Sequence, residues 1–162
     1  MSAVLITGMS ATGKSTVLAE LARRGHAVVD TDVGGWIVAV PQADGSTEPM
    51  WDEARISALL DEHAGGTLFV AGCVANQGRF YPRFGAVVLL SAPEETLLER
   101  LATRTTNAFG KVAAERDAVV ADLRAVEPLL RAGATAEIDS RAPVAEIAGR
   151  ILEIARGPAA GR

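Results

Sequence analysis

A glycine-rich segment near the N-terminus constrains the fold of this chain more than any other feature. It runs from Gly8 to Ser15 and matches the pattern G-x-x-x-x-G-K-[ST]. Residues 3–7, directly before it, form an apolar run typical of a buried strand, and residues 14–24 follow helical spacing. A strand, this loop and a helix in that order are the signature of a phosphate-binding loop.

The residue types in the loop suit a nucleoside triphosphate with Mg²⁺. Glycines let backbone N–H groups turn inward around phosphates, and the following helix adds positive potential. Lys14 is expected to reach the β- and γ-phosphates, and the Ser15 hydroxyl to ligate Mg²⁺. We therefore predict ATP and Mg²⁺ as cofactors, with a loop contact set of Gly8, Ser10, Ala11, Thr12, Gly13, Lys14, Ser15 and Thr16.

Strand-like runs alternate with helical patterns along the rest of the chain. Further strands are predicted at 27–30, 67–70, 86–90 and 136–138, and further helices at 52–63, 93–103, 113–131 and 143–156. Segment 33–50 holds three glycines and two prolines, which predict a short helix and then a loop. The alternation predicts a three-layer α/β domain with a five-stranded parallel sheet over residues 1–157, followed by a loose tail at 158–162.

Composition limits the partners of the chain. The net charge of −4 over 162 residues gives no basic field for nucleic acid. No apolar stretch reaches the length of about 18 residues that a membrane span needs. The single cysteine, Cys73, excludes an intramolecular disulfide. We expect a cytoplasmic monomer or homodimer that binds neither nucleic acid nor membrane.

Three segments outside the loop carry a family resemblance: Val29-Asp30-Thr31-Asp32, Leu98 to Arg104, and Pro128-Leu129-Leu130-Arg131. Together with the loop, they resemble the small P-loop kinases of the shikimate kinase and adenylate kinase type, from Val4 to about Ile154. The resemblance implies a nucleoside monophosphate kinase fold with strand order 2-3-1-4-5. It also implies an acceptor-binding insertion at about 33–63 and a lid at about 104–113.

The resemblance also implies roles for charged residues near the loop. Asp30 is expected beside Mg²⁺, usually through water, and Asp32 is expected to hold the acceptor hydroxyl, although Asp32 is also suited to cap a helix. Arg100 is expected to pack on adenine and Arg104 to reach phosphates. A solvated helix face with ion pairs is the alternative for both arginines. Lys14, Asp32 and Arg104 form the predicted catalytic set.

Other positions of this sequence match the pattern of these kinases less closely. Arg131 is in register with the family arginine that contacts the acid substrate, although a basic residue also suits the C-terminus of a helix. The segment around Arg141 falls where the adenine loop lies. Ala11 stands where a glycine is typical, and Ala71-Gly72-Cys73 replaces a triple glycine. Only Arg55 lies near the expected acceptor arginines, and 105–111 lacks the arginine-proline lid signature.

The segment from Gly72 to Arg83 follows the third predicted strand and is expected to open beside the phosphate loop. Asn76 can donate and accept hydrogen bonds and Arg79 can bind an anion, unless this is an ordinary polar surface loop. The predicted acceptor-binding residues are Asp32, Arg55, Gly72, Asn76, Arg79 and Arg131. The sequence predicts an ATP-dependent phosphotransferase with a small-molecule or nucleotide acceptor. The alternative is a P-loop ATPase or nucleotide-dependent regulatory protein without such an acceptor.

Overall fold

Five parallel strands form the central sheet of the protein. The structure is a computed structural model that describes residues 3–104 and 113–157. Its strands are β1 (Ala3–Thr7), β2 (Ala27–Asp30), β3 (Ile37–Pro41), β4 (Thr47–Trp51), β5 (Leu68–Ala71), β6 (Phe84–Ser91) and β7 (Ala136–Asp139). The sheet runs in the order β2-β5-β1-β6-β7, and each neighbouring pair is parallel. The five predicted strands and their order are confirmed.

Helices cover both faces of this sheet. They are α1 (Lys14–Arg23), α2 (Glu53–Glu62), α3 (Glu94–Arg104), α4 (Ala113–Gly133) and α5 (Val144–Arg156), with a 3-10 helix at Gln77–Arg83. Val4 and Ile6 of β1 pack into one core with apolar residues of α1 and α5. Leu5, on the opposite face, packs into a second core with apolar residues of α2 and Trp51. A strand buried on both faces explains why β1 reads as a continuous apolar run.

The insertion after β2 differs from the prediction. Residues 37–51 form an antiparallel hairpin of β3 and β4, in which Val38 pairs with Met50 and Val40 with Glu48. The predicted short helix and loop are wrong here. The hairpin closes through Asp44, whose carboxylate accepts the backbone N–H of Ser46 at 2.9 Å. Aspartate followed by glycine favours such a turn, and prolines are tolerated in a two-stranded ribbon because its outer edges are unpaired.

The predicted lid and tail fall mainly outside the described residues. Of the predicted lid at 104–113, residues 105–112 lie outside, and the predicted tail at 158–162 lies wholly outside. Within the described ranges, none of the helices combines the length and the apolar character required to cross a membrane.

Candidate functional site

The glycine-rich loop joins β1 to α1 and wraps tightly against β6. A side-chain carbon at Gly8 would lie 2.5 Å from the Leu90 carbonyl oxygen, so only glycine fits there. Gly13 has a φ of 91°, the left-handed conformation that glycine adopts without strain, and it stands directly before α1. The Thr12 hydroxyl donates to the Met9 carbonyl at 2.8 Å. The loop is therefore held in a curved form by its own contacts.

Ala11 occupies the typical glycine position with glycine-like geometry. Its φ is 69°, and among the described residues no other non-glycine residue has a positive φ. This conformation costs an alanine roughly 1–2 kcal/mol. The Ala11 methyl group packs with Leu97 and Leu123, which offsets part of that strain. The substitution therefore joins the loop to α3 and α4 through a small apolar cluster.

Lys14 lies over the mouth of the loop. Its Nζ atom donates to the carbonyl oxygens of Gly8 at 2.7 Å and Met9 at 3.1 Å. A polar cavity of about 360 Å³ opens at this point. It is lined by Ser10, Ala11, Gly13, Lys14, Ser15, Thr16 and Asp32. The structure thus brings Asp32 together with the predicted phosphate-binding residues.

The end of β2 supplies a carboxylate beside the loop. The Ser15 hydroxyl donates to Asp30 Oδ2 at 2.7 Å, and Asp30 Oδ1 accepts the backbone N–H of Asp32 at 3.0 Å. Hydroxyl and carboxylate oxygens are hard ligands that suit Mg²⁺. No group of three or more His, Cys, Asp or Glu side chains in the described ranges could hold a metal ion. Ser15 and Asp30 would therefore fit a Mg²⁺ ion only if phosphate oxygens and water supplied its other ligands.

A second cavity of about 290 Å³ lies on the other side of the loop. It is lined by Ala11, Thr12, Gly13, Thr16, Val17, Arg100, Thr103, Ser140, Val144 and Ile147. Arg100 donates to the Ala11 carbonyl at 3.0 Å, to Ser140 Oγ at 3.0 Å and to the Ser140 carbonyl at 2.9 Å. The guanidinium thus ties the phosphate loop to the segment after β7.

Arg141, another predicted nucleotide contact, stands apart from this arrangement. Arg141 pairs with Asp139 at 2.6 Å, and this guanidinium lowers the pKa of the Asp139 carboxyl to about 2. The Arg141 side chain lines neither of the two cavities. The side chain of Arg104 lies outside the described residues.

Arg55 and Gly72, two of the predicted acceptor residues, contact different parts of the insertion. Arg55 donates to the carbonyl oxygens of Gly34 at 3.1 Å and Gly35 at 2.5 Å, and its guanidinium lies 4.3 Å from the Trp36 ring centre. Gly72 packs closely against Thr31 and Trp51. Arg55 thus holds the backbone of residues 34–35 against α2, and the space at Gly72 admits no larger side chain.

Hydrogen bonds from the Asn76 side chain join the hairpin to the segment after β5. Its Oδ1 atom accepts the Trp51 backbone N–H at 2.9 Å, and its Nδ2 atom donates to the Trp51 carbonyl at 3.0 Å and to Glu53 Oε2 at 3.1 Å. Arg79 pairs with the same Glu53 oxygen at 3.2 Å. These contacts border an open groove of about 950 Å³ between the hairpin and residues 75–79. The groove wall contributed by the hairpin was not predicted from the sequence.

Arg131 forms ion pairs with two carboxylates that lie outside the groove. It pairs with Glu127 at 3.0 Å and with Glu137 at 2.9 Å. Its guanidinium and the Ser91 hydroxyl lower the pKa of the Glu137 carboxyl. Arg131 lines neither the groove nor the two loop cavities, so the structure does not bring it together with the other predicted acceptor residues.

Gln77 joins the segment after β5 to the end of β1, and it is not among the predicted site residues. It is 2% exposed, donates to Thr7 Oγ1 and to the Tyr81 hydroxyl at 3.0 Å each, and accepts the Val74 backbone N–H at 3.0 Å. Thr7 stands directly before the phosphate loop. Nothing in the local sequence distinguishes this buried amide from its polar neighbours, because its partners come from distant elements.

The loop geometry and sheet order define a P-loop nucleotide-binding protein with the architecture of small kinases. The chain belongs to the AAA domain family, whose model matches residues 4–120. Among curated proteins, no sequence match is found.

Solved structures share the fold at low identity. A shikimate kinase from Acinetobacter baumannii in complex with shikimate aligns with a TM-score of 0.61 and 21% identity, over 95% of this chain and 92% of that one. A shikimate kinase from Bacteroides thetaiotaomicron gives 0.59 and 16%, over 96% and 98%. A sugar kinase from Janibacter sp. HTCC2649 gives 0.58 and 20%, over 94% and 93%. At these identities the similarity establishes the fold alone.

Proposed function

We propose that the protein is an ATP-dependent phosphotransferase that acts on a small-molecule or nucleotide acceptor. The observation that carries this proposal is the position of Asp32, which lines the phosphate cavity together with Lys14 and follows the Ser15–Asp30 pair. A carboxylate beside the terminal phosphate can orient an acceptor hydroxyl and accept its proton. The fold shared with the shikimate kinases and the sugar kinase above supports the same class of reaction.

In the proposed reaction, the acceptor oxygen forms a bond to the γ-phosphorus while the bond from that phosphorus to the β-phosphate bridging oxygen breaks. ADP leaves, and the hydroxyl proton passes to the Asp32 carboxylate. Lys14 and the loop N–H groups stabilise the negative charge that builds on the transferred group. Such chemistry requires positioning and charge more than a strong base.

Ser15 and Asp30 are the residues proposed to hold Mg²⁺, Ser15 directly and Asp30 through water. A Mg²⁺ ion held there would offset part of the negative charge of the phosphates. Arg100 is proposed to face the base, since it lines the cavity beside the loop. Arg104 is proposed to approach the phosphates from the end of α3.

The proposal is tested by following ATP consumption against nucleoside monophosphates, hydroxy acids, sugars and aminoglycosides. We expect at least one acceptor to accelerate ATP consumption well above the rate with ATP alone. Asp32→Asn is expected to slow the accelerated rate by about 100-fold, within the usual range for a positioned acid-base group, without a matching loss of ATP affinity. Slow hydrolysis that no acceptor accelerates would favour the ATPase or regulatory alternative.

A further inference from the structure

The turn after β2 is anchored from inside the protein by Thr31. This residue is buried between Asp30 and Asp32, the two carboxylates beside the phosphate loop. Its Oγ1 atom donates to the Ala71 carbonyl at 2.8 Å and accepts the Trp51 indole N–H at 3.0 Å. Its backbone N–H also donates to the Ala71 carbonyl, at 3.0 Å. A buried hydroxyl that both donates and accepts has a fixed orientation, so the turn is held in place at the end of β5.

Gly72 leaves the space in which the hydroxyl of Thr31 meets the indole of Trp51. A side-chain carbon at Gly72 would lie 2.4 Å from Thr31 Oγ1 and 3.2 Å from Trp51 Cζ2. Any larger residue would therefore push these two side chains apart. The hydrogen bond between them accounts for a glycine at a position that the sequence predicted to bind the acceptor.

The contacts continue from Trp51 to the start of the phosphate loop. The Asn76 side chain bonds to the backbone N–H and carbonyl of Trp51 at 2.9 and 3.0 Å. The next residue, Gln77, donates to Thr7 Oγ1 at 3.0 Å. Thr7 is the last residue of β1 and directly precedes the glycine-rich loop. Thr31, Trp51, Asn76, Gln77 and Thr7 therefore form one buried network that joins the carboxylate turn to the phosphate loop.

Burial makes this network stiff. Six polar residues are buried within the described ranges, and four of them, Thr7, Thr31, Asn76 and Gln77, belong to the network. A buried polar group that loses its partner is strongly destabilised, so the members tolerate little displacement. None of the five members lines the phosphate cavity. The network can therefore act on the site only through the residues that it holds, which are Asp32 at one end and the loop at the other.

We propose that Thr31 is a positioning residue of the phosphotransfer site and that the buried network holds it there. The network sets the separation between the Asp32 carboxylate and the phosphate loop, and thus between the acceptor oxygen and the γ-phosphorus. The hairpin contributes to this separation through Trp51. This inference rests on the proposed phosphotransferase function. A misplacement of about 1 Å in such a site costs roughly 100-fold in rate.

A matched pair of variants separates positioning from packing. Thr31→Val keeps the shape of the side chain and removes the hydroxyl, whereas Thr31→Ser keeps the hydroxyl and removes the methyl group. Both are assayed with saturating Mg²⁺ and the acceptor that most accelerates ATP consumption. Thr31→Val is expected to lower kcat about 10–100-fold and to change the KM for ATP less than about threefold, while Thr31→Ser keeps kcat within about threefold. An unchanged kcat in Thr31→Val, or equal losses in both variants, would overturn the assignment.

Two further variants control for folding. Gln77→Met breaks the buried network at its other end and is expected to lower kcat in the same way; an unchanged kcat would contradict the network. Thr135→Val removes a hydroxyl that bonds to the Val87 N–H and carbonyl at 2.9 and 3.1 Å. Thr135 directly precedes β7, at the end of the parallel sheet opposite the phosphate loop. This variant is expected to lower Tm and leave kcat unchanged, and a fall in kcat equal to that of Thr31→Val would overturn the positioning role.

Amide hydrogen exchange tests the buried network without an acceptor. Mg²⁺ and ATP are expected to slow exchange at residues 8–16 and, through the network, at residues 50–52 and 74–79. Thr31→Val is expected to lose the slowing at 50–52 and 74–79 and keep it at 8–16, whereas Thr135→Val keeps both. If no acceptor accelerates ATP consumption, the phosphotransferase proposal fails, and this pattern still supports the network. Slowing at 50–52 and 74–79 that is absent, or equal in Thr31→Val and the unaltered protein, would overturn the network.

Discussion

Replacing Arg100 by methionine removes the contact that joins the phosphate loop to the segment after β7. Arg100 makes three hydrogen bonds of 2.9–3.0 Å to Ala11 and Ser140, and its side chain is partly buried. At about 1 kcal/mol net for each bond, the variant loses about 3 kcal/mol of unfolding free energy. Methionine retains most of the apolar stem, so the loss reflects the guanidinium contacts.

For a domain of this length, 3 kcal/mol corresponds to a fall in Tm of about 6–12 °C, measured by calorimetry or by fluorescence melting. The same variant is expected to bind ATP about tenfold more weakly. The phosphate loop loses its hydrogen bond from Arg100, and the cavity beside the loop loses one of its lining side chains. Arg124→Met is the matched control, since its ion pair with Glu94 is largely exposed and contributes about 0–1 kcal/mol. If Arg100→Met and the unaltered protein have equal Tm and equal ATP affinity, the hydrogen bonds of Arg100 to Ala11 and Ser140 do not stabilise the phosphate loop.

Three further predictions concern the loop and the surface. Lys14→Ala is expected to weaken ATP binding by about 100-fold in calorimetry, because a charged phosphate contact is lost; ATP binding as tight as in the unaltered protein would refute the nucleotide site. Asp30→Asn is expected to raise the Mg²⁺ concentration for half-maximal activity about 10–100-fold, as for other residues that orient metal ligands, whereas an unchanged Mg²⁺ requirement would place the ion elsewhere. Arg23 and Arg24 lower the pKa of Glu20 from 4.5 to about 2. Glu20 therefore contributes stability above about pH 4.5 that is lost toward pH 2, and the Tm difference between Glu20→Gln and the unaltered protein should shrink over this range; a constant difference would contradict the ion pairs.

The sequence predicted the central sheet well because its signals are local. Apolar runs such as residues 3–7 mark strands that are buried on both faces, and the loop pattern marks the turn into α1. The strand order came from family resemblance, since periodicity does not determine which strands are neighbours. The hairpin was missed because Pro41 and Pro49 suggested irregular structure, while the alternation of Val38, Val40 and Met50 has meaning only once the two strands pair.

Side-chain partners were the least predictable part of the site. Glu127 lies four residues before Arg131 on a helix, so that ion pair is visible locally, but Glu137 reaches Arg131 only through the docking of β7. Asn76 was predicted to contact the acceptor from its polarity and from its position after the third predicted strand. Its clamp on Trp51 depends on packing between elements that are distant in sequence.

The fate of the γ-phosphoryl group of ATP tests the central proposal most directly. The protein is incubated with ATP labelled at that group, Mg²⁺ and the acceptor that most accelerates ATP consumption, and the products are separated. We predict that the label appears on the acceptor in an amount equal to the ADP formed, and that Lys14→Ala abolishes this transfer. Label found only in inorganic phosphate would contradict the proposed phosphotransferase.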